Sequence, residues 1–284
     1  MKNILVTGAN GQLGNEMQVL AHENEQYTYF FTDVDTLDIC DEQAVLNYVT
    51  EHQIDVIVDC AAYTAVDKAE DNKELCDRLN RVAPGYLAKA AQSRNASIIQ
   101  VSTDYVFDGT NHIPYKEEEP TCPASVYGTT KLAGEQNVLE HCHNSVIIRT
   151  AWLYSIFGNN FVKTMIRLGQ ERDTLGVVFD QVGTPTYARD LARAIYAIIN
   201  KGIVRGVYHF SDEGVCSWYD FTKAIHRLSG ISCDVKPLHS EDFPAKAPRP
   251  HYSVLDKTKI KETFGIVIPH WEESLKECIK AMNN

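Results

Sequence analysis

Asn3-Ile4-Leu5-Val6-Thr7-Gly8-Ala9-Asn10-Gly11-Gln12-Leu13-Gly14 opens the chain with an apolar run, a turn carrying three glycines and the start of a helical pattern. A strand that passes through glycines at this spacing into a helix is a βα turn able to cradle a pyrophosphate. One glycine makes the tight turn, one lets the backbone approach the phosphates, and one lets the helix pack closely on the sheet. A bare turn needs a single glycine, so three of them predict a dinucleotide site. The helix N-terminus adds free amides and the positive end of its dipole.

The same alternation continues downstream. Short apolar runs at 4–7, 27–32, 56–59, 98–101, 146–149 and 207–210 read as strands covered on both faces. Helical patterns fill 12–22, 41–52, 73–94 and 125–141. Repeated β-α units predict an α/β fold, a doubly wound parallel sheet of the Rossmann kind. Residues 104–124 are acidic and punctuated by Gly109, Pro114, Pro120 and Pro123, and read as a loop over a site. After Thr150 the pattern becomes irregular, with helices at 160–170, 186–200, 217–229 and 271–282. Residues 243–250, Phe-Pro-Ala-Lys-Ala-Pro-Arg-Pro, exclude regular structure. We expect residues 1–150 to form a dinucleotide-binding domain to which 186–211 return. Residues 151–185 and 212–284 then make a smaller, mixed α/β substrate-binding region at the carboxyl ends of the strands.

Bulk properties narrow the function. With 284 residues, 44% hydrophobic and 23% charged, the chain can bury a real core. A net charge of −11 argues against nucleic acid as a partner. No apolar run reaches membrane-spanning length. The chain opens directly on a strand, so no leader is expected. Eight cysteines without a Cys-x-x-Cys pair suggest reduced thiols in a cytoplasmic protein.

Tyr127-Gly128-Thr129-Thr130-Lys131 follows the strand that ends in Ser102-Thr103-Asp104. A tyrosine and a lysine four apart share one helix face. The ammonium there can stabilise phenolate and lower the tyrosine pKa. Such a phenol can exchange a proton with a carbonyl oxygen, and beside a dinucleotide this points to hydride transfer. A second pair, Tyr219 and Lys223, lies beyond the regular alternation and reads as a packed ring and a solvated amine of an amphipathic helix. The second strand closes on Thr32-Asp33-Val34-Asp35, where a carboxylate can hold ribose hydroxyls and repel a 2′-phosphate, or form an acidic turn in water. Asp38 and Ile39 could cover the adenine.

Together Thr7-Gly8-x-x-Gly11-x-x-Gly14, Ser102-Thr103-Asp104-Tyr105-Val106-Phe107 and Tyr127-x-x-x-Lys131 resemble the extended short-chain dehydrogenase/reductases. Residues 61–70 (Ala-Ala-Tyr-Thr-Ala-Val-Asp-Lys-Ala-Glu), 149–154 (Arg-Thr-Ala-Trp-Leu-Tyr), Asp180-Gln181-x-Gly183-x-Pro185-Thr186 and Arg249-Pro250-x-x-Ser253-x-Leu255-Asp256 sharpen this. Over nearly its whole length the chain is similar to the dTDP-4-dehydrorhamnose reductases.

The resemblance implies reduction of the C4 ketone of a dTDP-sugar by NADPH or NADH, with Thr103, Tyr127 and Lys131 catalytic. It implies a cofactor held by Gly8, Asn10, Gly11, Gln12, Leu13, Gly14, Asp33, Asp38, Ile39, Ala61, Ala62 and Tyr63, with Tyr127 and Lys131. Sugar contacts would come from Thr64, Val66, Thr103, Asp104, Tyr105 and Trp152, whose ring could instead be core packing. Arg249 suits the diphosphate. Asp180, Gln181 and Thr186 would line or shape the substrate loop.

Some family members join two subunits through a metal held by acids. Glu16 matches one ligand, but Arg189 stands where an acid is expected, so no metal is expected, and monomer and homodimer stay open. His141-Cys142-His143 reads as an exposed helix end. Two other readings compete. A nucleotide-sugar dehydratase or epimerase shares the fold, but a 4,6-dehydratase carries an acid where this chain has Tyr105. A non-catalytic regulatory subunit would have no need of Thr103, Tyr127 and Lys131.

Overall fold

The computed structural model describes residues 1–243 and 245–283. The first half runs β1 (Asn3–Thr7), α1 (Gln12–Glu23), β2 (Thr28–Phe31), α2 (Glu42–Glu51), β3 (Val56–Asp59), α3 (Val66–Ala69) and α4 (Lys73–Asp77). A π-helical turn (Arg78–Val82) then leads into α5 (Ala83–Ser93), β4 (Ser97–Thr103), α6 (Val126–His141) and β5 (Ser145–Thr150). The second half holds β6 (Leu153–Tyr154), α7 (Phe161–Glu171), β7 (Thr174–Val178), β8 (Val182–Gly183), β9 (Thr186–Tyr187), α8 (Ala188–Lys201) and β10 (Gly206–His209). It ends with β11 (Cys216–Ser217), α9 (Trp218–Ser229), β12 (Asp234–Leu238), α10 (Thr258–Phe264) and α11 (Trp271–Met282).

Six of these strands form one parallel sheet in the order β10-β5-β4-β3-β1-β2. Ile4, Leu5 and Val6 of β1 are wholly buried because helices cover both faces. On one face Ile4, Val6, Val58 and Ile99 pack on Met17 of α1 and on Leu191 and Ile195 of α8. On the other, Leu5, Ile57, Ile98 and Ile147 pack on α2, α5 and Val138 of α6. Strand order reverses between β1 and β3, so the crevice at their carboxyl ends is where an open α/β sheet takes a ligand.

The smaller lobe is built from the two-stranded pairs β7–β12, β8–β11 and β6–β9. Its core joins Tyr154, Val162, Phe221, Trp271 and Leu275. Tyr219 packs against that core and Lys223 is exposed, the bland arrangement expected of the second Tyr/Lys pair. A segment from Ala245 to Asp256 crosses back over the site without helix or strand; Pro244, part of the Pro-rich stretch, lies outside the described residues. The segment bridges Val182 through Tyr252 and Tyr115 through Leu255.

The helix read over 73–94 runs unbroken from Lys73 to Ser93, and its middle, Arg78–Val82, widens into a π turn between α4 and α5. The wider turn seats wholly buried Asn80 between two segments of the site described below. Among the described residues no helix is long and apolar enough to cross a membrane, and all eight cysteines are unpaired.

Candidate active site

Gly8 adopts φ +62°, a left-handed backbone that a side chain would strain. A Cβ there would also lie 2.8 Å from the Ala61 backbone, so the turn after β1 presses directly on the loop after β3. At Gly14 a Cβ would sit 2.3 Å from the Gly8 carbonyl oxygen, which is how α1 starts so close to the turn. Gly11 differs: a Cβ would meet only the Gly8 oxygen, at 3.2 Å, and otherwise open space. No side chain caps the first amides of α1. Open approach and free amides at one helix end fit a pyrophosphate. Gln12 keeps a buried Oε1 without a partner beside this turn, while Leu13 is buried in the core.

Asp33 ties β2 to the glycine turn. Its Oδ2 accepts the Asn10 amide at 3.0 Å and its Oδ1 the Val34 amide at 2.8 Å. Asp38 is exposed and accepts the Cys40 amide. Ile39 does not offer an open face for adenine: it is buried with Leu37 in the core under α2 and α5. Ala61, Ala62 and Tyr63 run along the carboxyl end of β3. Asn80 clamps both backbone groups of Tyr63, accepting its amide at 2.8 Å and donating to its carbonyl at 3.1 Å. The same amide group reaches Thr130 Oγ1 at 3.3 Å, between Tyr127 and Lys131. Asn80 was invisible in the sequence because its work depends on a π turn, a common device at functional sites.

Helix α6 carries the Tyr/Lys pair. The Ser125 hydroxyl caps its start through the Gly128 amide, and Glu70 accepts the Val126 amide at 2.9 Å. Gly128 and Gly134 are needed for close approach, since a Cβ would stand 2.2 Å from the Tyr105 carbonyl and 2.0 Å from the Asn80 carbonyl. The half-buried Tyr127 ring meets Tyr105 edge to face, centroids 5.5 Å apart. Thr103, last residue of β4, lies near enough for its hydroxyl to favour the ionised phenol, yet burial dominates and pushes the Tyr127 pKa up, with Asp104 and Tyr105 adding to the rise. The lowering expected from Lys131 is therefore not what the structure shows. Lys131 donates to the Val101 carbonyl at 2.6 Å and faces carboxylates instead. Tyr127 is a phenol loaded with its proton.

Under Lys131 runs a buried polar layer. Thr7, Asp59, Gln100, Ser102 and Arg149 project from four adjacent strands toward Lys131 and Glu135 of α6. Thr7 donates to Asp59 at 2.7 Å, and Arg149 pairs with Glu135 at 2.7 Å. Burial pushes Lys131 down; Asp59 and Glu135 oppose that push. Three of the apolar runs read in the sequence close on a member of this layer, Thr7, Asp59 and Arg149, and that was the available signal.

On the sugar side Thr103 Oγ1 donates to Asp104 at 2.9 Å and accepts the Tyr105 amide. Asp104 is buried, which pushes its pKa up to about 6 against the hydroxyls of Thr103 and Ser253. Tyr105 is pushed up to about 12 by burial, with Arg249 opposing. Arg249 donates to the Tyr105 hydroxyl at 3.3 Å and to Asp67 at 2.7 Å. Thr64 is exposed and Val66 begins α3.

Trp152 has one face taken by a second ring. Trp218 stacks on it at 3.5 Å between centroids, covering one face. Its φ of +49° is a strained value for a bulky residue. Asp180 and Gln181 both bind Ser240, and buried Thr186 donates to the Ala151 carbonyl.

Glu16 is wholly buried. Ser155 and Arg189 occupy its two oxygens at 2.6 and 2.9 Å. Among the described residues no group of three or more His, Cys, Asp or Glu could hold a metal, and Cys142 of the His-Cys-His run is buried.

The family model described as the RmlD substrate binding domain matches residues 1–284. The chain is 41% identical to the dTDP-4-dehydrorhamnose reductase of Aggregatibacter actinomycetemcomitans, covering 97% of this chain and 98% of the relative. It is 39% identical to the enzyme of that name from Escherichia coli K12, covering 99% and 98%. A dTDP-4-dehydrorhamnose reductase structure from Clostridium acetobutylicum superposes with a TM-score of 0.96 at 46% identity, over 99% of this chain and 100% of that one. One from Bacillus anthracis, solved in complex with NADP, gives 0.95 at 40% identity over the same shares.

Proposed function

The chain belongs to the dTDP-4-dehydrorhamnose reductase family, and from that membership we propose how its own residues carry out the reaction. It reduces the C4 ketone of dTDP-4-dehydro-6-deoxy-L-mannose to dTDP-L-rhamnose with NAD(P)H, the last step of dTDP-rhamnose synthesis. A bound nicotinamide supplies the hydride. Tyr127 hands its proton to the C4 oxygen as negative charge develops there. The observation that carries this role is the place of the Tyr127 ring on α6, edge to face with Tyr105 and beside Thr103 at the end of β4. Thr103 orients the carbonyl oxygen through its hydroxyl. Lys131 holds the nicotinamide ribose. Gly8, Gly11 and Gly14 take the pyrophosphate, and Arg249 the diphosphate of the sugar nucleotide. We assign residues 1–150 with 186–211 to cofactor binding, apart from the short β9 that opens the second stretch and pairs with β6 of the smaller lobe, and 151–185 with 212–284 to the sugar nucleotide, in a cytoplasmic protein whose thiols stay reduced.

The test is to supply the 4-keto sugar nucleotide and follow NAD(P)H by absorbance. Loss of one NAD(P)H per ketone is expected; absence of ketone-dependent NAD(P)H oxidation would refute the reductase. The same assay reads cofactor choice. Residues 3–67 contain no Lys or Arg, and Asp33 fixes a carboxylate beside the glycine turn. Arg78, in contact with Cys40, is a basic group that does approach this end. Asp33→Ser should raise the NADPH/NADH ratio of kcat/KM about tenfold, the size of roughly 1.4 kcal/mol of relieved repulsion. An unmoved ratio would show that Asp33 does not set the choice.

Arg189 fills the place where a bridging cation would need an acid. We therefore propose assembly without metal: addition of EDTA should leave the mass measured by light scattering unchanged, and dissociation by the chelator would refute this.

A further inference from the structure

The crossing segment brings Arg249 to the site with its charge already answered. Residues 245–256 hold two bases, Lys246 and Arg249. Both face acids of one short stretch: Lys246 pairs with Asp71 and Arg249 with Asp67. Asp67 stands in the first turn of α3, and Asp71 comes four residues later. Asp67 Oδ2 accepts from Arg249 Nη2 at 2.7 Å, and its Oδ1 accepts the Ala247 amide at 3.0 Å. The other outer nitrogen of the guanidinium, Nη1, donates to the Tyr105 hydroxyl at 3.3 Å.

Arg249 is fixed from the opposite side. Pro250 follows it and restricts it to extended backbone. Gly109 takes φ +77°, and a Cβ there would stand 2.3 Å from the Pro250 ring. The Tyr252 amide donates to the Gly109 carbonyl at 3.0 Å, and the Val182 amide to the His251 carbonyl at 2.7 Å. The guanidinium therefore sits on a rigid mount, and what can change is the anion it holds.

The role that follows rests on the reading of Arg249 as the diphosphate ligand. A diphosphate arriving there meets a guanidinium whose two outer nitrogens are both engaged, one of them by a carboxylate. A phosphate oxygen has to displace Asp67 from Nη2 or lie beside it, and the like charges repel in either case. We propose that Asp67 is a positioning residue that acts through Arg249: it holds the guanidinium between turnovers and competes with the diphosphate for it. The sugar nucleotide is then bound less tightly than a free Arg249 would bind it, and release of the product is favoured. Arg249 is 24% and Asp67 46% exposed, so water screens the competition and keeps it modest.

Asp67→Asn separates charge from scaffold. The side-chain amide keeps an oxygen for the Ala247 amide and offers no charge to Arg249. The probe is dTDP alone, titrated calorimetrically into wild type, Asp67→Asn and Arg249→Ala. Asp67→Asn should bind dTDP about fivefold more tightly at low salt, the worth of one partly exposed ion pair. That gain should shrink in about 0.5 M salt. A merely structural tie would give the opposite sign, because loosening the crossing segment weakens binding. In turnover the KM for the 4-keto sugar nucleotide should fall in step while kcat does not rise. NADH affinity and melting temperature report that the rest of the fold is intact. Wild-type or weaker dTDP affinity in Asp67→Asn, with Arg249→Ala weakened about tenfold or more, would overturn the competition and leave Arg249 as the diphosphate ligand. Wild-type affinity in Arg249→Ala, or a wild type that does not take dTDP, would overturn that reading of Arg249 and the competition with it.

Discussion

Tyr127→Phe lowers kcat by about 10²–10⁴-fold, the usual contribution of a positioned proton donor, while NADH affinity stays within about twofold. The hydroxyl is the sole atom removed, and the ring keeps its edge-to-face contact with Tyr105. The neighbours cannot take over the donation at neutral pH. The Thr103 hydroxyl already donates to Asp104 and has the high pKa of an alcohol. The Tyr105 oxygen is engaged by Arg249. Asp104, with its carboxyl near 6, is mostly ionised at pH 7 and becomes an acid only below about that value. Steady-state rates with saturating 4-keto sugar nucleotide, together with NADH fluorescence titration, separate the two effects. Turnover at the wild-type level would remove Tyr127 from the chemistry. A residual rate that climbs as pH falls through 6 would identify Asp104 as the substitute donor.

Much of the scaffold was legible because it rests on local periodicity. Apolar β-branched runs such as Val56-Ile57-Val58 announce buried parallel strands wherever helices cover both faces. Gly8, Gly11 and Gly14 could be read because backbone approach needs glycine whatever the tertiary detail. The features that escaped depend on contacts far apart in the chain. Asn80 looks like any polar residue of a helix until a π turn aims it at Tyr63 and Thr130. Trp152 reads equally as a sugar platform or as core packing, and only the fold shows that Trp218, 66 residues later, takes one face and leaves the ring half-buried. The direction of the Tyr127 pKa was misread for the same reason. Spacing places Lys131 on the same helix face, but the Val101 carbonyl and the Asp59 and Glu135 carboxylates, from β4, β3 and α6, decide where the ammonium points. Ile39 shows the converse: an apolar residue near a ligand loop was taken by the core.

Glu135→Ala should be the most destabilising single change at the site, costing about 3–5 kcal/mol because it strands a buried charge. Arg149 and Glu135 are 5% and 2% exposed and share a two-pronged contact, with Arg149 Nε and Nη2 both donating to the carboxylate. Ser102 also donates to Glu135. Without the carboxylate, the guanidinium keeps only the Glu117 carbonyl at 3.5 Å and the Phe107 ring at 5.2 Å. Neither offsets the cost of removing a full charge from water. Thermal unfolding should show a drop of about 5–15 °C for that loss in a chain of this size. The pair itself need not stabilise much, since apolar groups of similar shape often replace buried ion pairs at little cost. Glu135→Leu combined with Arg149→Met should therefore lose less than either single change, a coupling that additive effects could not produce. The double variant is expected to stay folded but to turn over slowly, because Glu135 is also one of the two carboxylates that oppose the downward push of burial on Lys131. If Glu135→Ala melts within about 2 °C of wild type, less than the shift expected for 1 kcal/mol, the charge layer beneath the catalytic helix is solvated in solution. Lys131 is then held by its bond to the Val101 carbonyl and by Asp59.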